Sequence, residues 1–533
     1  MKIALIITLG GDLVRSTEHL GIGYIAAVLR QKGNQVDVYE INQNDIFSND
    51  ICEQLLDGTY GIIGFTTTCV TMRDINRFSN AIKAYNAKSY IVYGGHMASF
   101  AASELMKLYS FIDFCIIGEG ELTFTDLVYQ LENNGRLSAV KGLVYREKDK
   151  IIINEARDLI EDLDTLPFPA RDQFEMHKEK VQYIRISTSR GCLGNCAFCS
   201  NFVGRIQRGA KWRGRTPHNV VDEIEALVKR YRFFTYDFVD STFEDPGRAG
   251  KERIRRIAEG IIERKLNIYY NCCFRAENWH EEDHELLRLL VESGLEKVNI
   301  GFEAGNDRGL EILNKRARIE DNNRVIRILK QFPEIYLTFG FIMLHPYSTM
   351  DDLKDNADFL FRSGGGQVIR HYFWRLEVYP GTLMEKKLKE DDLLSKEYNI
   401  DDGMYCYNYQ EEGMVKYQEV FSALLTLKSV WDFEIFDILV HTFITRLLRK
   451  YQNDPIQEKL RDFGCYVKSI RKEMAEFNYN FFINLLKDID TINIEIKKNV
   501  LDTYIKDKMN EVKSQQYRLG MYLQRNGYEM IIK

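Results

Sequence analysis

Residues 190–200 read Arg-Gly-Cys-Leu-Gly-Asn-Cys-Ala-Phe-Cys-Ser and bring Cys192, Cys196 and Cys199 close together along the chain. Three thiolates can hold only three irons of a four-iron cluster, so the fourth iron stays open to a substrate. A zinc site normally has a fourth Cys or His nearby, and the next such residue is His218. The spacing therefore predicts a catalytic iron–sulfur cluster, with a zinc site or a chance grouping of cysteines as the alternative.

The same stretch resembles the cluster loop of the radical S-adenosylmethionine (SAM) superfamily, in which an aromatic residue precedes the third cysteine. Phe198 stands at that position. The resemblance implies that Cys192, Cys196 and Cys199 hold a four-iron four-sulfur (4Fe-4S) cluster that binds SAM, with Phe198 close to SAM. It further implies that an electron donor such as flavodoxin or ferredoxin drives cleavage of SAM to a 5′-deoxyadenosyl radical, which removes a hydrogen atom from an unactivated carbon.

Composition limits the class of protein. The chain has 533 residues, 72 Lys and Arg, 78 Asp and Glu, and a formal net charge of −6. This length allows roughly three domains, and the charge gives no basic field for nucleic acid or an anionic membrane. The first apolar run is short and predicts a strand, not a signal peptide, and no run reaches the roughly 18 apolar residues of a membrane helix. Cysteines are mostly scattered, so we expect reduced thiols and a cytoplasmic protein, with small molecules or other proteins as partners.

The first part of the chain alternates β-type and helical runs. The helical runs include residues 23–31 and 71–85, and the β-type runs are rich in Ile, Val, Phe and Tyr. This alternation predicts an α/β domain with a doubly wound parallel sheet, Rossmann-like in architecture. The predicted strands are residues 3–8, 36–41, 62–67, 90–93 and 114–117.

Small and hydroxylic residues follow three of these strands. Ligands of doubly wound sheets bind beyond the carboxyl ends of the strands, and small residues there allow a flat ligand to approach the backbone. Ordinary strand-to-helix turns with helix caps are the alternative. The candidate binding residues are Thr66, Thr67, Gly94, Gly95, Gly118, Glu119 and Gly120.

Residues 19–27, the Gly94-Gly95 pair and residues 117–121 together resemble the cobalamin-binding domain of one branch of the radical SAM superfamily. The resemblance implies that the candidate residues at the strand ends bind cobalamin. The chain departs from other cobalamin proteins because it has no Asp-x-His-x-x-Gly motif, whose histidine binds cobalt in those proteins. The lower ligand of a bound cobalamin would therefore not be a histidine of that motif. Members of the branch often carry His two positions after the Gly-Gly pair, whereas His96 follows it directly and Met97 takes the usual place.

Domain boundaries follow from turns and prolines. Residues 142–146 and 150–154 predict a β-hairpin, and Pro167 and Pro169 mark a linker because neither can continue a helix or a central strand. We expect a cobalamin-binding-like domain over residues 1–140, a hairpin and linker over 141–180, a barrel over 181–385 and a helical domain over 386–533.

The barrel prediction rests on a second series of alternating strands and helices. Six β/α units in roughly 200 residues suggest a partial (β/α)6 barrel, whose active site collects at the carboxyl ends of the strands. The cysteine loop follows the first of these strands. The predicted strands are residues 183–188, 234–239, 268–274, 297–302, 336–344 and 371–378.

Two more strand ends carry polar groups. Asp240, Ser241 and Thr242 could accept hydrogen bonds from an ammonium group, and Glu303 could bind a pair of ligand hydroxyls. Helix caps are the alternative for each. These residues resemble the superfamily's motifs for the SAM amino group and ribose, which implies that they bind SAM.

The sixth strand and the tail offer weaker signals. Alternation sends about half of the side chains on residues 371–378 inward, so Tyr372, Arg375 and Glu377 are candidate substrate contacts, with ion pairing and packing as the alternative. Residues beyond about 386 have helical periodicity, and we expect a helical cap over the barrel mouth that shapes the substrate cavity.

The residues and the resemblance together predict a cobalamin-dependent radical SAM enzyme. The resembling branch mostly transfers methyl groups to unactivated carbons of small molecules or peptides in natural-product biosynthesis. Cyclisation or rearrangement remains open, as does a front domain that has lost cobalamin. A tRNA methylthiolating enzyme would normally bring three more clustered cysteines, which Cys52, Cys69 and Cys115 do not provide. A cobalamin-sensing regulator would not need the cysteine triad.

Overall fold

A computed structural model of the chain describes residues 1–9, 18–42, 54–200, 206–395 and 400–530. The chain divides into two compact units. The first comprises Met1–Leu193, Phe198–Ile268 and Glu377–Cys406, and the second comprises Gly194–Ala197, Tyr269–Leu376 and Tyr407–Lys533. Across the described ranges, no helix has both the length and the apolar character needed to cross a bilayer.

The first unit begins with a mixed sheet and its helices. The strands are β1 (Lys2–Leu9), β2 (Gln35–Asn42), β3 (Ile62–Thr67), β4 (Tyr90–Gly95), β5 (Phe114–Ile116), β6 (Leu143–Glu147) and β7 (Lys150–Ile153). The helices are α1 (Leu20–Gln31), α2 (Met72–Tyr85), α3 (His96–Leu108) and α4 (Gly120–Glu132). The strand order is β2-β1-β3-β4-β5-β6-β7, with β1 to β5 parallel. The predicted parallel sheet is confirmed, and the predicted hairpin extends it with two antiparallel strands.

Helices cover both faces of this sheet, which explains its apolar strands. Every residue of β3 is buried, as expected for a central strand of a doubly wound sheet. Neighbouring side chains pack into different cores: Ile62 joins Phe124 on one face, and Ile63 joins Phe78 on the other. Because β1 to β5 are parallel, the turns from strand to helix lie at one edge of the sheet, beyond the carboxyl ends of the strands.

The first unit continues with the elements around the cysteine loop. They are α5 (Asp172–His177), β8 (Ile184–Ile186), β9 (Ser189–Gly191), β10 (Trp212–Gly214), α6 (Pro217–Tyr231), β11 (Thr235–Phe238) and α7 (Gly247–Glu263). Strands β8 and β11 pair in parallel, as the barrel prediction requires. Strands β9 and β10 form an antiparallel ribbon that the sequence did not predict, and this ribbon leads directly into the cysteines.

The second unit carries three parallel strands with helices between them. These elements are β12 (Tyr269–Phe274), α8 (His284–Ser293), β13 (Leu295–Glu303), α9 (Asp307–Ile312), α10 (Ile319–Leu329), β14 (Tyr336–Phe341) and α11 (Met350–Ser363). The paired strands are β12 with β13 and β13 with β14. The predicted α/β barrel strands are therefore present up to β14.

The sixth predicted strand is wrong in its extent. Residues Ile369–Tyr372 form a 3-10 helix, and only an isolated parallel bridge joins Leu344 to Arg375. The rings of Tyr372 and Phe373 pack on Phe482 of the tail, at centroid distances of 5.2 and 6.3 Å. This aromatic packing involves residues that sequence periodicity assigned to a strand. The chain is hydrogen-bonded to residues 343 and 344 after β14 at residues 374–376.

The remaining helices are α12 (Leu383–Glu390) of the first unit and, in the second unit, α13 (Met414–Leu425), α14 (Lys428–Lys450), α15 (Ile456–Lys487) and α16 (Ile494–Arg525). The helical tail is thus confirmed, but α14 does not lie over the barrel mouth that the tail was predicted to cover. Helix α14 contacts the amino ends of the second unit's strands. Its Asp437 accepts a hydrogen bond from the Tyr336 hydroxyl at 2.8 Å, and its Arg446 pairs with Glu296 at 2.6 Å.

The Asp437 contact generates a stability prediction. The Asp437 carboxylate is almost fully buried and also pairs with Arg471 at 2.8 Å. Replacing Asp437 with Ala leaves that guanidinium and the Tyr336 hydroxyl without their acceptor, so we expect a loss of about 3 kcal/mol in the free energy of unfolding. Asp432→Ala, which removes an exposed ion pair with Lys428 on the same helix, should cost less than about 1 kcal/mol. Guanidinium unfolding curves measure both losses. Equal losses would contradict a stabilising role for the buried Asp437 contacts of α14.

Candidate functional site

The three cysteines lie in the loop that follows β9. Gly191 begins this loop with φ +90°, and a Cβ added there would lie 1.8 Å from the Lys211 carbonyl oxygen, so the turn requires glycine. Cys192, Cys196 and Cys199 are each partly exposed, and none is in a disulfide. Three accessible thiols on one short loop suit three corners of an iron–sulfur cluster.

Acidic side chains of the first unit hold the backbone beside this loop. The Asp240 carboxylate accepts hydrogen bonds from the backbone N–H groups of Thr188 and Ser189 at 2.8 and 2.7 Å, and from the Thr188 hydroxyl. Burial raises the pKa of Asp240, while the Arg253 guanidinium and these donors oppose the rise. Farther along the chain, the Leu193 N–H donates to the Asp245 carboxylate at 3.4 Å.

Residues of the second unit hold the middle of the loop. The Ala197 N–H donates to the Leu313 carbonyl at 2.8 Å, and the Asn314 side-chain amide donates to the Asn195 carbonyl at 2.6 Å. The segment after α9 is therefore a backbone support for the residues on both sides of Cys196.

The predicted SAM residues at the end of β11 have different environments. The Asp240 carboxylate is occupied by hydrogen bonds from the backbone before the cysteine loop. Its position therefore favours a supporting role over direct contact with an ammonium group. Ser241 is exposed, whereas the Thr242 hydroxyl is buried with no hydrogen-bond partner among the described residues. Phe198 is partly exposed within the cysteine loop itself. The SAM roles of Ser241, Thr242 and Phe198 stay predictions.

Glu303, the predicted ribose contact, sits in a special backbone conformation. Its φ is +63°, at a bulge between β13 and β14. Its carboxylate lies 3.4 Å from the Lys315 ammonium group, and both side chains are almost fully buried. Burial raises the pKa of Glu303, and Lys315 opposes that rise. Burial also disfavours the charge on Lys315, but Glu303, the Cys196 thiol and Glu277 together raise the pKa of Lys315.

The inner face of the second unit's sheet carries a polar row that the sequence prediction missed. Tyr270 marks the outer face, because its hydroxyl lies 2.9 Å from Ser293 Oγ on α8. Alternation therefore turns Asn271 inward. Asn271 is 2% exposed, and neither atom of its amide has a hydrogen-bond partner in the described part of the chain. On the same face, the Thr338 hydroxyl lies 3.2 Å from Asn299 Oδ1.

The predicted cobalamin residues on β3 and β4 form a hydrogen-bonded edge. The Thr67 hydroxyl donates to the Gly94 carbonyl at 2.7 Å and accepts from the Ala98 N–H at 3.0 Å. The Thr66 hydroxyl lies 3.0 Å from His19 Nε2, and burial lowers the pKa of His19 to about 4, which favours its neutral form. A Cβ added at Gly94 would meet nothing closer than 4.0 Å, so the backbone there is open to a ligand.

The turn after β5 is tied to the same edge. The Gly118 N–H donates to Ser99 Oγ at 3.0 Å, and Ser99 Oγ donates to the Gly95 carbonyl at 2.8 Å. Glu119, predicted as a cobalamin residue, instead directs its carboxylate to arginines that flank the cysteine loop. Gly120 begins α4, and a Cβ there would lie 3.2 Å from Ile25. Direct cobalamin contacts by these residues stay predictions.

The three candidate substrate contacts of the sixth strand are not brought together. Tyr372 is buried against the helical tail, and its placement favours packing. Arg375 lies over the ring of Tyr407 at 5.9 Å. Glu377 belongs to the first unit, where it accepts a hydrogen bond from the Tyr379 hydroxyl.

Two kinds of residue escaped the sequence prediction. Lys315 and Asn271 became visible only when strands and loops were placed side by side, although strand alternation could have indicated that Asn271 faces inward. Arg190 lies in the cysteine stretch itself, and its charge beside a cluster loop could have suggested an acidic partner.

Comparison with known proteins gives two family matches. Residues 5–128 match the model described as B12 binding domain, and residues 186–360 match the Radical SAM superfamily model. The first match spans the sheet edge formed by β3, β4 and β5. The second spans the cysteine loop, Asp240, Glu303 and the polar row.

Two curated relatives each align with more than half of this chain. An uncharacterized methyltransferase of Pyrococcus horikoshii is 28% identical over 405 residues, which cover 74% of this chain and 85% of that protein. An anaerobic magnesium-protoporphyrin IX monomethyl ester cyclase of Rubrivivax gelatinosus is 29% identical over 335 residues, covering 60% of this chain and 58% of that protein.

Among solved structures, the cobalamin-dependent SAM radical enzyme OxsB, with aqua-cobalamin and SAM bound, has the same fold. It aligns with a TM-score of 0.72 at 18% identity, over 98% of this chain and 80% of that one. The chain thus carries a B12 binding domain followed by a radical SAM domain, in the fold that OxsB also has.

Proposed function

We propose that the chain is a cobalamin-dependent radical SAM methyltransferase that methylates an unactivated carbon of a small molecule or peptide. The observation that carries this proposal is the supported loop of Cys192, Cys196 and Cys199 on the same chain as an open front-sheet edge. The methyltransferase relative from Pyrococcus horikoshii, which aligns with 74% of this chain, supports methyl transfer.

The cysteine loop fits a cluster with one open iron. When bound, a 4Fe-4S cluster supplies the electron that cleaves SAM, and cobalamin supplies a carrier for the methyl group. The chain's own part is to hold the three thiols in place through Asp240 and Asp245 and through the segment after α9. Buried backbone supports of this kind also limit the access of water to a reactive radical.

Charged residues near the loop suit the polar end of SAM. The Lys315 ammonium group lies within electrostatic range of the Cys196 thiol and pairs with Glu303. A carboxylate ligand would find a cation in Lys315, and a pair of ribose hydroxyls would find an acceptor in Glu303. The polar row of Asn271, Asn299 and Thr338 then remains to contact the substrate.

The front-sheet edge fits a large flat ligand. Gly94 leaves its backbone uncovered, and Thr67 and Ser99 fix the surrounding turns through hydrogen bonds. Both features allow a corrinoid ring to lie close to the backbone without displacing a side chain. Cobalamin binding at this edge is therefore the proposal that the residues support.

A radical cyclase is the second candidate. The relative from Rubrivivax gelatinosus, named as a cyclase, is as similar over its aligned part as the methyltransferase relative. The two activities differ in their products, because methyl transfer by this route also forms S-adenosylhomocysteine and cyclisation need not.

The first experiment distinguishes these candidates. Anaerobic protein with SAM, reductant, hydroxocobalamin and an extract of its native cells should form 5′-deoxyadenosine, S-adenosylhomocysteine and a product heavier by one CH2. Cys196→Ala should abolish all three, whereas Cys465→Ala, an exposed cysteine of α15, should change none. Mass spectrometry measures the products. Deoxyadenosine without S-adenosylhomocysteine would favour the cyclase, and activity in Cys196→Ala would refute the cluster assignment.

The cobalamin edge has a direct binding test. Gly94→Phe places a ring in the space above β4 and should lower corrinoid retention at least about tenfold, while iron content stays at the wild-type level. Gly413→Phe is the matched control, because a Cβ there meets nothing within 4 Å in the helical tail. Absorption spectra after gel filtration measure bound corrinoid. Full retention by Gly94→Phe would place the corrinoid away from this edge, whereas no retention by wild-type protein would refute cobalamin binding.

The polar row has a separate test. Asn271→Leu removes hydrogen-bonding groups while keeping the number of side-chain heavy atoms and the branching, so product formation should fall at least about tenfold while SAM cleavage continues. Cys272→Ala is the control, since Cys272 is buried on the opposite face of the same strand. The measured quantity is the ratio of methylated product to deoxyadenosine. An unchanged ratio would remove Asn271 from the substrate contacts.

A further inference from the structure

A buried cluster of charges joins the front sheet to the cysteine loop within the first unit. Glu119 Oε1 accepts hydrogen bonds from Arg190 Nη1 at 3.1 Å and from Arg213 Nη1 at 3.0 Å, and Glu121 accepts from Arg190 Nη2 at 2.7 Å. Glu119 also accepts from the Ile160 N–H at 3.0 Å. The four charged side chains are at least four-fifths buried. Bonds between buried charges of this geometry are among the stronger polar contacts in proteins.

The two arginines place like charges close together, and the carboxylates of this cluster balance them. Arg190 of β9 and Arg213 of β10 are direct partners across the antiparallel ribbon. Like charges directly opposite one another in a ladder repel, and burial strengthens that repulsion. The Glu119 carboxylate bridges both guanidinium groups and so allows the ribbon to close. Burial alone would raise the pKa of Glu119, but the arginines and the Ile160 N–H hold it below its ordinary value.

The ribbon leads without interruption into the cluster loop. Arg190 is followed by Gly191, whose close approach to the Lys211 carbonyl leaves little freedom, and then by Cys192. A shift of Arg190 is therefore transmitted to the first thiol. The Arg190 guanidinium also lies 4.9 Å from the ring centroid of Tyr24 on α1, a second front-domain contact.

The other end of the cluster reaches the front-sheet edge. The Glu119 N–H donates to Gln207 Oε1 at 3.0 Å, and the preceding residue, Gly118, is linked to Gly95 through Ser99. A continuous set of backbone and side-chain bonds thus runs from the turn after β4 to Arg190, two positions before Cys192.

We propose that Glu119 is a positioning residue that fixes the first cluster thiol relative to the front-sheet edge, so that the environment of the cluster responds to occupancy of that edge by a corrinoid. The proposal rests on the proposed function, because it assumes a cluster on the loop and cobalamin at the edge. It assigns to Glu119 an action through Arg190 and Arg213, and no contact with either cofactor.

The test uses Glu119→Gln in the full chain, with electron paramagnetic resonance of the reduced cluster as the main readout. In wild type, adding hydroxocobalamin should change the g values or line width. In Glu119→Gln, corrinoid absorbance should still show binding, while the cluster signal should be broader and should not respond. Deoxyadenosine formation should fall at least about tenfold, since small misplacements of reacting groups have large effects. A wild-type response in Glu119→Gln would overturn the proposal.

A double variant keeps the test informative if Glu119→Gln folds poorly. Glu119→Gln with Arg213→Gln leaves Arg190 paired with Glu121 and removes the unbalanced charge, so line width and deoxyadenosine formation should recover to within about threefold of wild type. Failure to recover would contradict the charge-balancing role. Glu155→Gln, which breaks an exposed pair with Lys141, is the control and should match wild type.

Failure of the proposed function is recognised separately. If wild-type protein binds no hydroxocobalamin, the cobalamin assignment fails. The line-width comparison between Glu119→Gln and the double variant then decides the positioning role by itself: recovery supports it, and equal spectra overturn it.

Discussion

A loop that presents three thiols to a metal cluster must have its backbone fixed by neighbours, because small residues such as Gly191 and Gly194 give it little packing of its own. Hydrogen bonds to buried acceptors do this here. Asp240 binds the turn before the loop, Asp245 binds Leu193, and the carbonyl of Leu313 binds Ala197. A buried carboxylate is stable only when such donors and a cation surround it. The local chemistry of the site therefore depends on the folds that supply those partners.

Two sets of parallel strands in the chain bring such residues together at the carboxyl ends of their strands. In the front sheet, Thr67, Gly94 and Gly95 meet at one edge because β3 and β4 are neighbours in register. In the second unit, Gly301 and Gly340 are partners across β13 and β14. A Cβ at Gly301 would collide with the Glu303 carboxylate, and a Cβ at Gly340 would lie 3.0 Å from the Gly301 backbone. Parallel pairing thus converts residues far apart in sequence into one surface. Glu119 provides a similar link between distant residues, since it follows a strand of the front sheet but binds the arginines of β9 and β10.

The correct predictions share a physical basis. Strand and helix periodicity depends on local burial, so the doubly wound sheet and the barrel strands through β14 could be predicted from the sequence, and the cysteine spacing identified the loop. The sixth strand could not, because Tyr372 and Phe373 pack on Phe482, more than a hundred positions away, and this long-range packing overrides alternation. The position of α14 could not be predicted from the sequence for the same reason. Periodicity predicts that a helix has an apolar face, but the partner of that face is decided by contacts such as Asp437 with Tyr336.

The sequence by itself determined the chemical inventory: three thiols at a fixed spacing, glycines at strand ends, and two α/β segments followed by helices. These follow from residue type and local spacing, which act without knowledge of the fold. Only the tertiary structure decided that Asp240 supports the loop backbone, that the Asn271 amide has no hydrogen-bond partner among the described residues, and that Glu119 bridges Arg190 and Arg213. Those roles depend on distances between side chains from separate elements, and such distances exist only after the strands have paired and the helices have packed.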